Sequence, residues 1–388
     1  MQPVRITGHE GANRQLLYFT STSLSENDKI LFFISDHAGH PNIFFRHLKT
    51  GEEKQLTFNC EGTLKSYVYF DGNENRGLGK ASISLDPVKG KVYYIQGKDI
   101  CCVDMMGNDR VLAVIPEEQV TAFTHVSADG SRLCVPTSDA RVLEGNTRGH
   151  LDYDIDRRVQ EENLNSYIRV YDTSSGEEIL TERVPKAWVT HVQFCPVDNN
   201  LILYNHEYVS VDCGIRRMWL WDGKNHTRVR SEGEGRSRND WTCHEMWERD
   251  GKGIIYHGIY QNGIPYIGKK DLADSSITEI GIRKEYRRYG HFTVGNGDVL
   301  VSDGYYQAPY DDDGVNGEYI SIQKISWKSR SIEWKPLLKH GSSWTSQDCH
   351  PHPIFNHAGN EVYFTSDMEG YRAIYMIDIS KRGNNYDE

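Results

Sequence analysis

An all-β, seven-bladed β-propeller is the fold this sequence predicts, closed by an N-terminal strand that completes the last blade. Three observations point to it. The same hairpin is written near both ends of the chain. Turn residues recur between short apolar strands at a regular interval. No segment with helical periodicity interrupts the series.

The first hairpin reads Ile30-Leu31-Phe32-Phe33-Ile34-Ser35-Asp36, a Gly39 turn, then Asn42-Ile43-Phe44-Phe45. Its second copy reads Glu361-Val362-Tyr363-Phe364-Thr365-Ser366-Asp367, a Gly370 turn, then Ala373-Ile374-Tyr375-Met376. Both are apolar strand, Ser-Asp-x-x-Gly turn, apolar strand, with turn chemistry in the same place. The offset between Ser35 and Ser366, spread over six steps, gives about 55 residues per unit, near the kelch period.

Between the copies the unit recurs with drift. Ser25-Glu26-Asn27-Asp28, Asp86-Pro87-Val88-Lys89-Gly90, Ala128-Asp129-Gly130, Pro196-Val197-Asp198-Asn199, Arg249-Asp250-Gly251, Gly295-Asn296-Gly297 and His357-Ala358-Gly359 are its turns. Third strands follow at residues 100–104, 167–172, 218–222 and 319–322. The blades are expected to start near residues 16, 81, 122, 190, 243, 289 and 350, all within one domain spanning residues 1–388. The last unit runs out of chain after its third strand. Val4-Arg5-Ile6-Thr7 has the pattern of the outer strand Lys54-Gln55-Leu56-Thr57 and is expected to complete it, removing two open sheet edges. Residues 137–165 and 303–317 are long insertions, a length that usually carries function. The first holds Arg148, His150 and the acidic run Asp152-Tyr153-Asp154-Ile155-Asp156; the second holds Asp311-Asp312-Asp313. Neither has EF-hand spacing, so both acidic runs read as solvated turns.

Composition narrows the function. With 44 Lys and Arg against 55 Asp and Glu, the net charge of −11 disfavours a nucleic-acid partner. No apolar run is long enough to span a bilayer, and the N-terminus lacks the apolar core of a secretory signal, so a cytoplasmic location is expected. Eight scattered cysteines without a C-x-x-C pattern fit reduced thiols there. Nothing in the sequence sets the oligomeric state.

The chemistry gathers in Gln347-Asp348-Cys349-His350-Pro351-His352-Pro353. Pro351 and Pro353 favour extended backbone, and two residues apart on a strand the imidazoles of His350 and His352 point the same way. They form half of a metal site, to which Gln347 can add an oxygen. Other histidines fall in register with them. The first strand of a blade lines the central channel, and His191, His244 and His352 each sit five residues before a first turn position. His125 and His350 are displaced by two, on the same face; His291 is one out, which a bulge would absorb. Gln347, His350, His352 and His291 can thus make a cage. Neutral imidazole suits zinc, copper, iron, nickel or manganese, and no thiolate is placed to choose among them. His244 belongs to the preceding blade, beside His206-Glu207 and Arg216-Arg217 of blade four. Alternation lets only one of those arginines enter the channel. His-Glu-Met-Trp-Glu lacks the second histidine of H-E-x-x-H, so it is no zincin.

Gln-x-x-His-Pro-His-Pro followed by Val-Tyr-Phe-Thr-Ser-Asp resembles the oligogalacturonate lyases. Cys-His-Glu-x-Trp at 243–247 and the segment from His206-Glu207 to Arg217-Met218-Trp219-Leu220 are similar to them too. The resemblance is dense over about residues 200–375 and thinner before, with Gln55-Leu56-Thr57 its best early echo. It implies a seven-bladed propeller and a bound divalent metal, usually manganese. Carried over by motif, the metal ligands fall on His291, Gln347, His350 and His352, the catalytic base on His244 and the carboxylate-binding arginine on Arg217. His206 and His191 stand beside them as candidate substrate-binding residues. The implied partner is an anionic uronate oligosaccharide.

The residues suit that reaction. β-Elimination at a uronate takes the C5 proton, next to the carboxylate, and expels the C4 oxygen. A cation and a guanidinium stabilise the charge that grows on the carboxylate, and a neutral histidine with a pKa near working pH serves as base. Two other readings stand: a lyase on a different uronate-containing oligosaccharide, and a non-catalytic propeller serving as a binding module. A gating domain of the prolyl-oligopeptidase kind would need a G-x-S-x-G elbow, which the sequence lacks.

Overall fold

A computed structural model describes residues 2–7, 11–62, 64, 78–121, 123–144, 154–207, 217–230, 241–283, 290–306 and 317–380. Among them the strands form seven antiparallel sheets of four or five strands, each a consecutive stretch of chain with one exception. The inner strands are Arg14–Leu16, Ser84–Asp86, His125–Val126, Val192–Cys195, Trp241–Trp247, Phe292–Val294 and Ile354–Phe355. The exception is blade seven, where Val4–Arg5 pairs with Ala373–Asp378. Ile6 N–H extends the pairing to the Ile374 carbonyl at 2.8 Å. The expected closure is thus observed.

Apolar side chains on alternate strand positions fill the space between neighbouring blades. Val92, Tyr94 and Val103 of blade two meet Phe32, Ile34 and Ile43 of blade one, all essentially inaccessible. The turns between first and second strands hold themselves with their own acids. Asp86 Oδ1 accepts from the Val88 and Lys89 N–H groups, and Asp250 Oδ1 accepts from Lys252 N–H. Because the strands alternate in direction, these short turns lie at one mouth of the channel. Second-to-third-strand links and blade-to-blade links all return at the other mouth, where the inner strands begin.

Two features depart from the sequence reading. The first insertion contains a helix, Asp154–Glu161, where only turns were expected. Its Ile155 and Val159, four apart, bury against Val142, Leu164 and Trp188; the apolar stripe is too short to show as periodicity. The second departure lies in blade one. Leu16 pairs with Phe33 and Leu24 bridges Leu31, so residues 17–23 leave the sheet between them. Leu17 N–H donates to Ser23 Oγ at 3.0 Å and closes the neck of this loop. Tyr18 and Phe19 therefore stand on the channel axis with Phe123, each no more than 3% exposed. No helix among the described residues is long and apolar enough to cross a membrane. Arg148, His150, Arg216, Asp311–Asp313 and residue 122 lie outside the described residues, as does the side chain of Gln347.

Candidate active site

Three imidazoles converge where blade six meets blade seven. Ligand-capable nitrogens of His291, His350 and His352 lie within 4.8 Å of one another. His291 immediately precedes the inner strand of blade six. His350 and His352 precede that of blade seven, but not on the extended strand expected from H-x-H. Gln347–Cys349 forms a 3-10 turn, and His352 adopts φ +45°, in the left-handed region. The two rings converge through this irregular backbone, 5.8 Å apart, rather than through strand alternation. A left-handed β-substituted residue costs roughly 1–3 kcal/mol and persists only where its surroundings hold it.

His291 offers Nδ1 to Asp303 Oδ2 at 3.0 Å, leaving Nε2 as its other nitrogen. His352 Nδ1 meets Lys80 Nζ at 3.0 Å, and His352 Nε2 is buried with no hydrogen-bond partner among the described residues. Burial, followed by the Lys80 ammonium, holds the His352 pKa well below its ordinary value. Burial also lowers Lys80 itself to about 8.

His244 stands next to this triad, its ring centroid 4.6 Å from that of His291. It too is left-handed, at φ +51°, and the ladder of blade five slips between Cys243 and Met246 around it. The irregularity expected at His291 is therefore at His244, and it turns this side chain out of the strand's alternation. His244 Nδ1 is 2.7 Å from His257 Nε2. Burial, with a contribution from Arg217, pushes the His244 pKa down to about 4. That is lower than the near-working value expected from sequence, and it keeps the ring neutral with a lone pair to offer. Phe19 is its floor: the Phe19 ring lies 5.7 Å from His244, 5.4 Å from His291 and 5.3 Å from His352.

Arg217 projects from blade four towards blade five, between two carboxylates. Its Nε donates to Glu245 Oε2 at 2.9 Å and its Nη1 to Glu207 Oε2 at 3.1 Å. Burial opposes its charge, but Glu207 and Glu245 outweigh that and hold the guanidinium protonated. Glu207 also accepts from Asn205 Nδ2 at 2.7 Å and Thr190 Oγ1 at 3.0 Å, and faces His191 Nδ1 at 3.3 Å. His191 reaches the axis, where its Nε2 is 3.2 Å from the Tyr18 hydroxyl. His206, in contrast, packs its ring against Tyr204 and Trp219, and burial pushes its pKa down to about 4. His125 is also separated from the group. It lines a cavity of about 530 Å³ at the opposite mouth, on the other side of Phe19.

The model of the oligogalacturonate lyases matches residues 18–382. The chain belongs to the oligogalacturonate lyase family. As a member it is an enzyme, a lyase acting on oligogalacturonate. The oligogalacturonide lyase of Pectobacterium atrosepticum is 28% identical over 397 residues, which cover 97% of this chain and 92% of that one. The oligogalacturonate lyase of Dickeya dadantii is 24% identical, over 93% and 89% of the two chains. Two solved structures share the fold. An oligogalacturonate lyase in complex with manganese matches with a TM-score of 0.76 at 20% identity, covering 96% of this chain and 92% of its own. The oligogalacturonate lyase of Vibrio parahaemolyticus matches at 0.75 and 23%, with the same coverage.

Several residues around this cluster escape a reading of the sequence. Asp303 closes a Ser-Asp pair like Ser35-Asp36 and Ser366-Asp367, so the repeat itself was a signal for it. His257 sits on the second strand of blade five, opposite Cys243, and only the strand register reveals it. Lys80 and Phe19 carry no motif.

Proposed function

We propose that this site cleaves short oligogalacturonates by β-elimination, with a divalent cation, Mn²⁺ foremost, held by His291, His350 and His352. Gln347 is the proposed fourth ligand from the motif. The donor set fits such an ion. It consists of imidazoles within 4.8 Å of one another, and one of them, His352, keeps a buried Nε2 that no hydrogen bond among the described residues satisfies. The solved family member in complex with manganese supports the choice of metal. A cation there supplies positive charge to the substrate carboxylate as negative charge builds on it.

The observation that carries the reading is His244 beside the triad, neutral and braced by His257. A proton on His244 Nδ1, bonded to His257 Nε2, leaves His244 Nε2 to take the C5 proton. As it does so the C4–C5 double bond forms, the C4–O bond breaks and the departing oxygen takes up a proton. Arg217, fixed by Glu207 and Glu245, is proposed to present its remaining N–H donors to the substrate carboxylate on the blade-four side. His191 is proposed to contact substrate at the rim. His206, packed between aromatic rings, supports that part less.

The test uses di- and trigalacturonate and the ultraviolet absorbance of the new double bond conjugated to the carboxylate. His244→Ala is expected to lose turnover on the order of 10²–10⁴-fold with unchanged metal content. An active His244→Ala enzyme would move the base elsewhere. Metal-depleted wild type at full activity would remove the cation from the reading. A panel of other uronate oligosaccharides decides the substrate.

A further inference from the structure

Asp303 is a fully buried carboxylate that the elimination does not use. Part of its role is the repeat's own. In blade one Asp36, at the end of the second strand, accepts the Asn13 N–H just before the inner strand at 2.8 Å. In blade four Asn205 accepts the His191 N–H at 2.8 Å. Asp303 does the same in blade six, accepting the His291 N–H on Oδ1 at 2.7 Å.

Blade six adds two contacts through the other oxygen. Asp303 Oδ2 faces His291 Nδ1 at 3.0 Å and accepts the His352 N–H at 3.3 Å. An ionised Asp303 only accepts, which places the His291 proton on Nδ1 and leaves a lone pair on its Nε2. The second contact crosses to the next blade and ties down the backbone of His352, where φ is +45°. Blade four shows the alternative: there an amide nitrogen, Asn205 Nδ2, faces His191 Nδ1 at 3.0 Å. Room for the carboxylate comes from Gly290, where a Cβ would fall on Asp303 Oδ1 with Asp303 Cγ at 3.2 Å.

We propose that Asp303 is the positioning residue of the metal centre, setting the tautomer of His291 and pinning the left-handed backbone of His352 so that both present nitrogen to one ion. This rests on the reading of the triad as a metal site. Asp303→Asn is the informative change. Its oxygen can still cap the inner strand, as Asn205 does in blade four, but its nitrogen then donates to His291 Nδ1 and moves the ring proton to Nε2.

The experiment titrates metal-free wild type and Asp303→Asn with Mn²⁺ by calorimetry, with circular dichroism and melting of both proteins before metal is added. The expected result is a similar metal-free fold with Mn²⁺ affinity about 10–100-fold weaker in the variant. A folded Asp303→Asn protein with wild-type affinity overturns the proposal. Gly290→Ala gives a second route, since it changes no charge and displaces the carboxylate. It too is expected to weaken Mn²⁺, and wild-type affinity there counts equally against the proposal. Wild type that binds no Mn²⁺ overturns the metal reading itself, and the proposal with it.

Discussion

Arg217 shows how far a single residue's role depends on its neighbours. Its side chain is 11% exposed, and the Glu245 it neutralises is 2% exposed. Removing one partner of a buried pair leaves the other charge unpaired, at a cost of about 3–5 kcal/mol. Arg217→Ala is therefore expected to lower both the melting temperature and kcat/KM. Adding Glu245→Gln removes the stranded carboxylate and should restore part of the stability while activity stays low. Recovery of activity together with stability would mean that Arg217 serves only to balance Glu245. At this scale the sequence was most legible where chemistry is written in residue type: His244, His291, His350, His352 and Arg217 all reach one end of the channel. What it concealed is geometry. The left-handed backbone at His244 and His352 and the contacts of Asp303, His257 and Lys80 arise from strand register and from residues distant in sequence.

At the scale of elements, the hairpins and the closure of the ring were readable because turn residues and alternation are local properties. The helix Asp154–Glu161 and the loop of residues 17–23 were not, because each is defined by what it packs against. Closure makes a direct expectation. Val4 pairs with Met376, Arg5 pairs with Tyr375, and Arg5 also bonds Glu369 at 2.6 Å. Without residues 1–7 the edge of Ala373–Asp378 is bare. That deletion should lower the melting temperature sharply and promote association through the exposed strand, detectable by light scattering. An unchanged melting curve would show that the pairing contributes little to stability.

Across the whole molecule, burial of histidine makes folding sensitive to acid. Burial pushes both His206 and His340 down to about 4, against about 6.5 in an unfolded chain. Between those values the unfolded chain binds protons that the folded one refuses, so stability is lost as pH falls from about 6.5 towards about 4. Each residue contributes up to roughly 3 kcal/mol to that loss. Melting temperature measured across this range should fall. His206→Gln should flatten part of the slope relative to wild type, and identical slopes would count against a buried neutral His206.

The arrangement of loops around the axis has a consequence for traffic. Tyr18, Phe19 and Phe123 pack together in the middle of the ring, and Phe19 separates the histidine cluster from the cavity that His125 lines. With those rings in the way, a substrate bound at the histidines would enter and leave by their own mouth of the ring. The packed rings at Tyr18, Phe19 and Phe123 would oppose threading a long polymer along the axis. A product that lingers among these histidines would then compete directly with the next substrate for the same mouth.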